Sequence, residues 1–140
     1  MPTIEYCMGP QGQVLQDYAD CRSQNSFIMG PLGSGKTVQT ILKLFDLMTE
    51  QEPVMTPGHK NYGVRLSRII AARNTYSELF STTIKDWLEI HEDLGPFRQG
   101  NKEPPTHYIH FRLEDGTTVK CEVVFIAFDR PEHVKKARGI

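Results

Sequence analysis

The sequence predicts an α/β fold, a mostly parallel sheet flanked by helices and carrying one β-hairpin. Three observations lead there. A short apolar run, Phe27-Ile28-Met29, passes through a glycine-rich turn, Gly30-Pro31-Leu32-Gly33-Ser34-Gly35-Lys36-Thr37, onto a helical pattern beginning at Val38. A stretch of strand character over 64–72 is followed by a helical stripe over 76–91. Two further strand-like runs flank Asp115-Gly116, a dipeptide suited to a tight hairpin turn.

Composition narrows the class. The chain has 140 residues and a formal net charge of -1, which fits one compact domain at most. It shows neither a spanning apolar segment nor a charged start with an apolar h-region, so a soluble protein is expected. Cys7, Cys21 and Cys121 are odd in number, widely spaced and without a C-x-x-C pair, which fits a reduced, cytosolic setting. A balance near zero does not exclude a nucleic-acid partner, because clustered basic residues suffice.

Taken in order, residues 1–25 read as a polar N-terminal segment packing on the core. Gly9-Pro10 and Gly12 break it, and Val14, Leu15 and Tyr18 form a weak helical stripe. Tyr6 or Tyr18 is placed to meet a nucleotide base, or simply to pack. Residues 26–140 read as a partial phosphate-binding domain. Val38, Ile41, Leu42, Phe45 and Met48 recur at helical spacing, so a helix from Thr37 to about Glu50 would lay this face on the sheet. Glu52-Pro53 ends it.

Residues 51–63, rich in proline and glycine, form a connection, and Val64 to Ala72 is a strand entering a buried sheet. Thr75-Tyr76-Ser77-Glu78 has the form of a capping box. Tyr76, Leu79, Phe80, Ile84, Trp87, Leu88 and His91 then make the stripe of a helix from about Tyr76 to His91, with Trp87 in the core. After a loop over 93–106, Tyr108 to Leu113 and Thr118 to Phe128 pair as the hairpin, the second strand being the buried one. A short helix follows Asp129 and ends near Gly139.

The turn fills every fixed position of G-x-x-x-x-G-K-[ST], the Walker A pattern of a P-loop. Glycines allow close approach of the backbone to phosphate oxygens, and loop and helix N–H groups point at them. Lys36 is suited to the β- and γ-phosphates, and the Thr37 hydroxyl to a magnesium ion that keeps most of its waters. ATP and Mg2+ are the ligands expected. A hydrolase also needs an acid at the end of an apolar strand. Asp129, after Val123 to Phe128, has that outline, but Arg130 stands where a second carboxylate would. Asp129 equally suits a helix cap, with Pro131 in the first turn and Glu132 completing the box.

The remaining polar groups point less sharply. His107 and His110 fall on opposite faces of a strand and so do not form a metal pair. His59, His91 and His133 lack partners at ligand spacing and are expected to be solvated or half-buried. Arg65, Arg68, Arg73, Lys135, Lys136 and Arg138 are candidates for phosphate contact, whether of nucleotide or DNA.

The ordered set of residues resembles the N-terminal ATPase region of tailed-bacteriophage terminase large subunits. The resemblance rests on Ser26 to Thr37, on Ala72-Arg73-Asn74-Thr75-Tyr76-Ser77-Glu78-Leu79 with Thr82-Thr83-Ile84-Lys85-Asp86-Trp87, on Phe111 to Thr117, and on Arg138-Gly139. It implies a P-loop NTPase core, incomplete at its C-terminal end. In that family an Arg-Gly pair shortly precedes the strand bearing the magnesium-binding acid and the catalytic glutamate, and here the sequence reaches Ile140 one residue after Gly139.

The resemblance further implies a motor that drives double-stranded DNA into a capsid. Its implied partners are the portal protein, the small terminase subunit and further copies in a homo-oligomeric ring. Its implied location is the cytoplasm of the infected bacterial host, at the capsid portal. Many terminases carry an arginine within the loop, where Leu32 and Ser34 offer none, so its charge-stabilising role would pass to Arg73 or to a neighbouring subunit, or be absent. The alternatives are a small-molecule phosphotransferase, such as a nucleoside or nucleotide kinase, and a non-catalytic nucleotide-binding module.

Overall fold

The computed structural model describes residues 13–29, 35–100 and 103–129, and the chain divides into two compact units, Thr3–Leu47 and Met48–Ile140 with the first two residues. In the first unit, α1 (Gln13–Asp20) buries Leu15 and Ala19, four residues apart on one helical face. Its outer face is tied by Gln13 to Asp17 and by Gln16 to Asp20. α2 (Lys36–Glu50) begins in the same unit. The Tyr18 hydroxyl lies 3.1 Å from Thr40 Oγ1, and Lys43 Nζ sits over the Tyr18 ring while donating to Ser26 Oγ.

Two expectations change here. The apolar run Phe27-Ile28-Met29, which in a strand–turn–helix reading is the strand before the glycine-rich turn, forms no strand, and Phe27 and Met29 are 88% and 89% exposed. Three apolar residues make too few cross-strand bonds to hold a strand without a neighbour. On α2 the buried set is Gln39, Ile41, Lys43 and Met48, whereas Val38 is exposed and Leu42 and Phe45 are half-buried. Lys43 is buried because its stem packs and its ammonium finds both a hydroxyl and an aromatic face.

The second unit is built on four strands, β1 (Val64–Arg73), β2 (Phe97–Arg98), β3 (Thr106–Arg112) and β4 (Thr118–Ala127), in the order β1-β4-β3-β2. β1 runs parallel to β4, while β4 with β3 and β3 with β2 are antiparallel. The fold is α/β with a hairpin, as expected, but the sheet is mixed and not mostly parallel. The hairpin supplies two of its strands, and β2 returns antiparallel beside them.

β4 has neighbours on both sides and is buried without interruption from Val123 to Ala127. β1 lies at the edge among the described strands, with Leu66, Ile70 and Ala72 exposed, which corrects the reading of this run as a strand entering a buried sheet. The hairpin closes through Leu113 N–H to the Thr117 carbonyl, with Gly116 at φ 88°. Asp115 accepts from both the amide and hydroxyl of Thr117 and pairs with Arg65, whose guanidinium also reaches the Gln51 carbonyl. These contacts, those of Thr117 first, hold the Asp115 carboxyl below its usual range.

The helix expected over 76–91 forms in three parts, α3 (Tyr76–Glu78), a π-helical stretch (Leu79–Ile84) and α4 (Lys85–His91). Thr75 caps it by accepting from Glu78 N–H. The buried residues are Leu79, Ile84, Trp87 and His91. Leu79 and Ile84 stand five positions apart, which in an α-helix would leave them about 140° out of phase. The wider π turn takes up that difference and keeps all four on one face.

Against this face lies the core of the sheet. Trp87 stacks edge-on against Phe125, and the Trp87 indole N–H donates to His107 Nδ1 at 2.9 Å. The other His107 nitrogen, protonated in that tautomer, donates to the Gly95 carbonyl at 2.9 Å. His107 is buried and His110 exposed, on opposite faces of β3 as the alternation requires. His91, expected at or near the surface, is instead fully buried with its ring edge-on to Trp87.

Candidate functional site

The glycine-rich turn enters the described structure at Gly35. Gly30, Pro31, Leu32, Gly33 and Ser34 lie outside the described residues. Gly35 takes φ 84°, and an added Cβ would meet only Leu15 Cδ1, at 3.7 Å. A left-handed residue immediately before a helix turns the chain sharply, and glycine does so at least cost. α2 starts at Lys36, with Gln39 N–H donating to the Gly35 carbonyl at 2.9 Å as its first helical bond.

The first turn of α2 contains no acidic side chain. The N–H groups of that turn and about half a positive charge therefore stand beside the Lys36 side chain, with no acidic residue in the turn itself. Lys36 is half-buried and Thr37 exposed. The donor set suits a polyphosphate, and the Thr37 hydroxyl suits a hydrated magnesium ion beside it.

The supports of this helix end were not singled out from the sequence as such. Thr40 Oγ1 donates to the Lys36 carbonyl at 2.8 Å and is met by the Tyr18 hydroxyl, so α1 braces the first turn of α2. Of the two uses considered for Tyr18, packing is the one seen in these contacts. Tyr6 lies outside the described residues. A cavity of 360 Å³ opens beside the approach to the turn, lined in part by Asp17, Tyr18, Phe27 and Met29.

Arg73 and Asp129 belong to the other unit. Arg73 ends β1 opposite Ala127 of β4, and Phe128 N–H donates to the Arg73 carbonyl, so both residues stand at the C-terminal end of the parallel pair. In α/β sheets this end is where ligands gather. The Arg73 guanidinium donates to Thr82 Oγ1 at 3.3 Å and is otherwise exposed. Asp129 Oδ2 accepts from Tyr76 N–H at 3.4 Å, so its carboxylate supports the start of α3. The cap on a following helix, through Pro131 and Glu132, lies outside the described residues.

The other basic candidates divide similarly. Arg65 is tied to Asp115, Thr117 and Gln51, and Arg68 to Glu122 at 2.9 Å, so both hold strands together. Lys135, Lys136, Arg138 and His133 lie outside the described residues. His59 is exposed, its Nδ1 accepting from Asn61 N–H. No described helix is long and apolar enough to cross a membrane. No family model, curated protein or solved structure matches this chain.

Proposed function

We propose that this chain is the ATP-binding part of a viral DNA-packaging motor of the terminase large-subunit kind, in which ATP hydrolysis drives double-stranded DNA into a capsid. The observation that carries the reading is the Walker A sequence ending in a left-handed Gly35 and an acid-free helix start at Lys36. Lys36 and the N–H groups of the turn hold the phosphates of ATP, and Thr37 holds Mg2+. The metal neutralises phosphate charge and would polarise the transferred group.

Arg73 is the cation proposed to stabilise γ-phosphate charge, and Asp129 the candidate acid for magnesium. Portal protein, small terminase subunit and a ring of further copies complete the proposed machine, working in the host cytoplasm at the portal. The fold proposed around these residues is a P-loop core. A kinase is less well supported, because it would need a lid rich in arginine, and the loop over 93–106 offers only Arg98, whose guanidinium lies over the Tyr108 ring. A module that binds without turnover is the second reading, favoured by Arg130 standing beside Asp129 in place of a carboxylate.

Titration calorimetry with Mg-ATP tests the assignment. The chain binds, Lys36→Ala weakens binding by about tenfold or more through loss of a charge-assisted phosphate contact, and turnover stays below about 1 per second. Equal affinity in Lys36→Ala removes the phosphate cradle from consideration. Faster turnover by the chain makes Asp129 the magnesium acid.

A further inference from the structure

The face of the sheet turned away from Trp87 changes character along its length. Side chains alternate across a strand, so Tyr108, His110 and Arg112 of β3 share this face with Lys120, Glu122, Val124 and Ile126 of β4 and with Arg68 of β1. Toward the C-terminal end of β4 the face is apolar and covered, Val124 and Ile126 being only 5% and 2% exposed. Toward the other end His110, Arg112 and Lys120 are all exposed. Arg98 of β2 joins them by laying its guanidinium over the Tyr108 ring. A packed helix would strand these charges away from water, so this half of the face is not a core surface awaiting its cover.

Four cations, Arg68, Arg98, Arg112 and Lys120, stand here with one carboxylate, Glu122, which Arg68 already engages at 2.9 Å. His110 and Lys120 are directly opposite in the β3–β4 register, and Arg112 follows two residues along. Among the described residues none of these three has a hydrogen bond or ion pair, whereas Arg65 and Arg68 are both tied down. Asp93 and Glu114 border a hollow beside His110 and Arg112 at the margin of β3 but pair with neither. Cations gathered on one face repel each other. A chain with a net charge of -1 has no general excess of them, so the positive charge is segregated here.

We propose that this half-face, through Arg98, His110, Arg112 and Lys120, docks on the phosphate backbone of double-stranded DNA. Arg98, Arg112 and Lys120 are donors without acceptors, as a polyanion requires, and the Arg112 fork matches a pair of phosphate oxygens. A single strand would call for free aromatic faces on which its bases stack. The ring within the cluster, Tyr108, is half-buried and taken by Arg98, so the face offers backbone contact alone. The choice of DNA as the polyanion rests on the packaging reading, whereas the cation cluster does not.

Fluorescence anisotropy of a labelled duplex of about 25 base pairs tests this, at about 20 to 200 mM salt and with the chain at up to about 500 µM. Three permanent cations on phosphate give a log–log salt slope near about -3, a loss of about fortyfold in affinity between about 50 and about 200 mM. Lys120→Glu and Arg112→Glu each weaken binding by about fivefold or more and flatten the slope by about one or more. Lys85 is exposed on α4, which packs against the opposite face. Lys85→Glu makes the same change in net charge and leaves affinity within about twofold. Circular dichroism checks that each variant folds. Lys36→Ala retains duplex binding, so a failure of the nucleotide site and a failure of this surface are read separately. Absence of binding at about 20 mM salt overturns the proposal, as does an equal loss in Lys85→Glu. Tighter binding of a single strand of the same sequence overturns it too, by requiring bases to be held.

Discussion

At the scale of single residues, the most constrained group is His107. Both ring nitrogens are engaged, one accepting from the Trp87 indole and the other donating to the Gly95 carbonyl, and this is possible only for a neutral ring. Burial pushes its pKa below the ordinary value, against smaller opposing effects of Gly95 and Glu92. In the unfolded chain the imidazole titrates near about 6.5, so below that pH the unfolded state binds the extra proton. Stability is therefore full above this range and falls as pH drops through it, toward the lower folded value. Urea melts at about pH 7.5 and about pH 5.5 should show the loss. Trp87→Phe strands a buried acceptor and costs about 1–3 kcal/mol at neutral pH. It also removes the donor that a charged His107 would face, so its melts should depend less steeply on pH over the same interval. The alternation of β3 made the opposite directions of His107 and His110 legible in the sequence, though not which of the two faces the core. The indole partner of His107, twenty positions earlier, was not legible either, because nothing local links a helix stripe to one residue of a strand.

Elements formed from local signals were the most legible. The capping box at Thr75, the turn at Asp115-Gly116 and the burial of β4 each follow from a few adjacent residues. The edge position of β1 does not, since an apolar run looks alike in the middle and at the margin of a sheet, and strand order is set by distant pairings. The same limit applies at the candidate site. The helix start at Lys36 is written in the motif, whereas the contact of Asp129 with Tyr76 N–H joins residues fifty-three apart. Gly95 shows how tightly one connection is held. A side chain there would run into the Tyr108 carbonyl, just where Tyr108 N–H donates to Pro96. Gly95→Ala should therefore cost about 3 kcal/mol or more, as backbone and strand separate, and thermal melting of the variant measures it.

For the whole molecule, acidic and basic residues nearly cancel, and the sequence isoelectric point is about 6.5. Where net charge vanishes, short-range attraction between exposed apolar surfaces is least opposed. Solubility should pass through a minimum near that pH, and precipitation assays at fixed concentration across the neutral range read it directly. The division into two compact units also gives an unplanned use to the indole–imidazole contact. The chain has one tryptophan, and it is sealed among Phe125, His91 and His107. Its fluorescence is thus an optical gauge placed in one unit alone. Emission wavelength registers water entering that core, and quenching registers charge arriving on the neighbouring imidazole, with no added label.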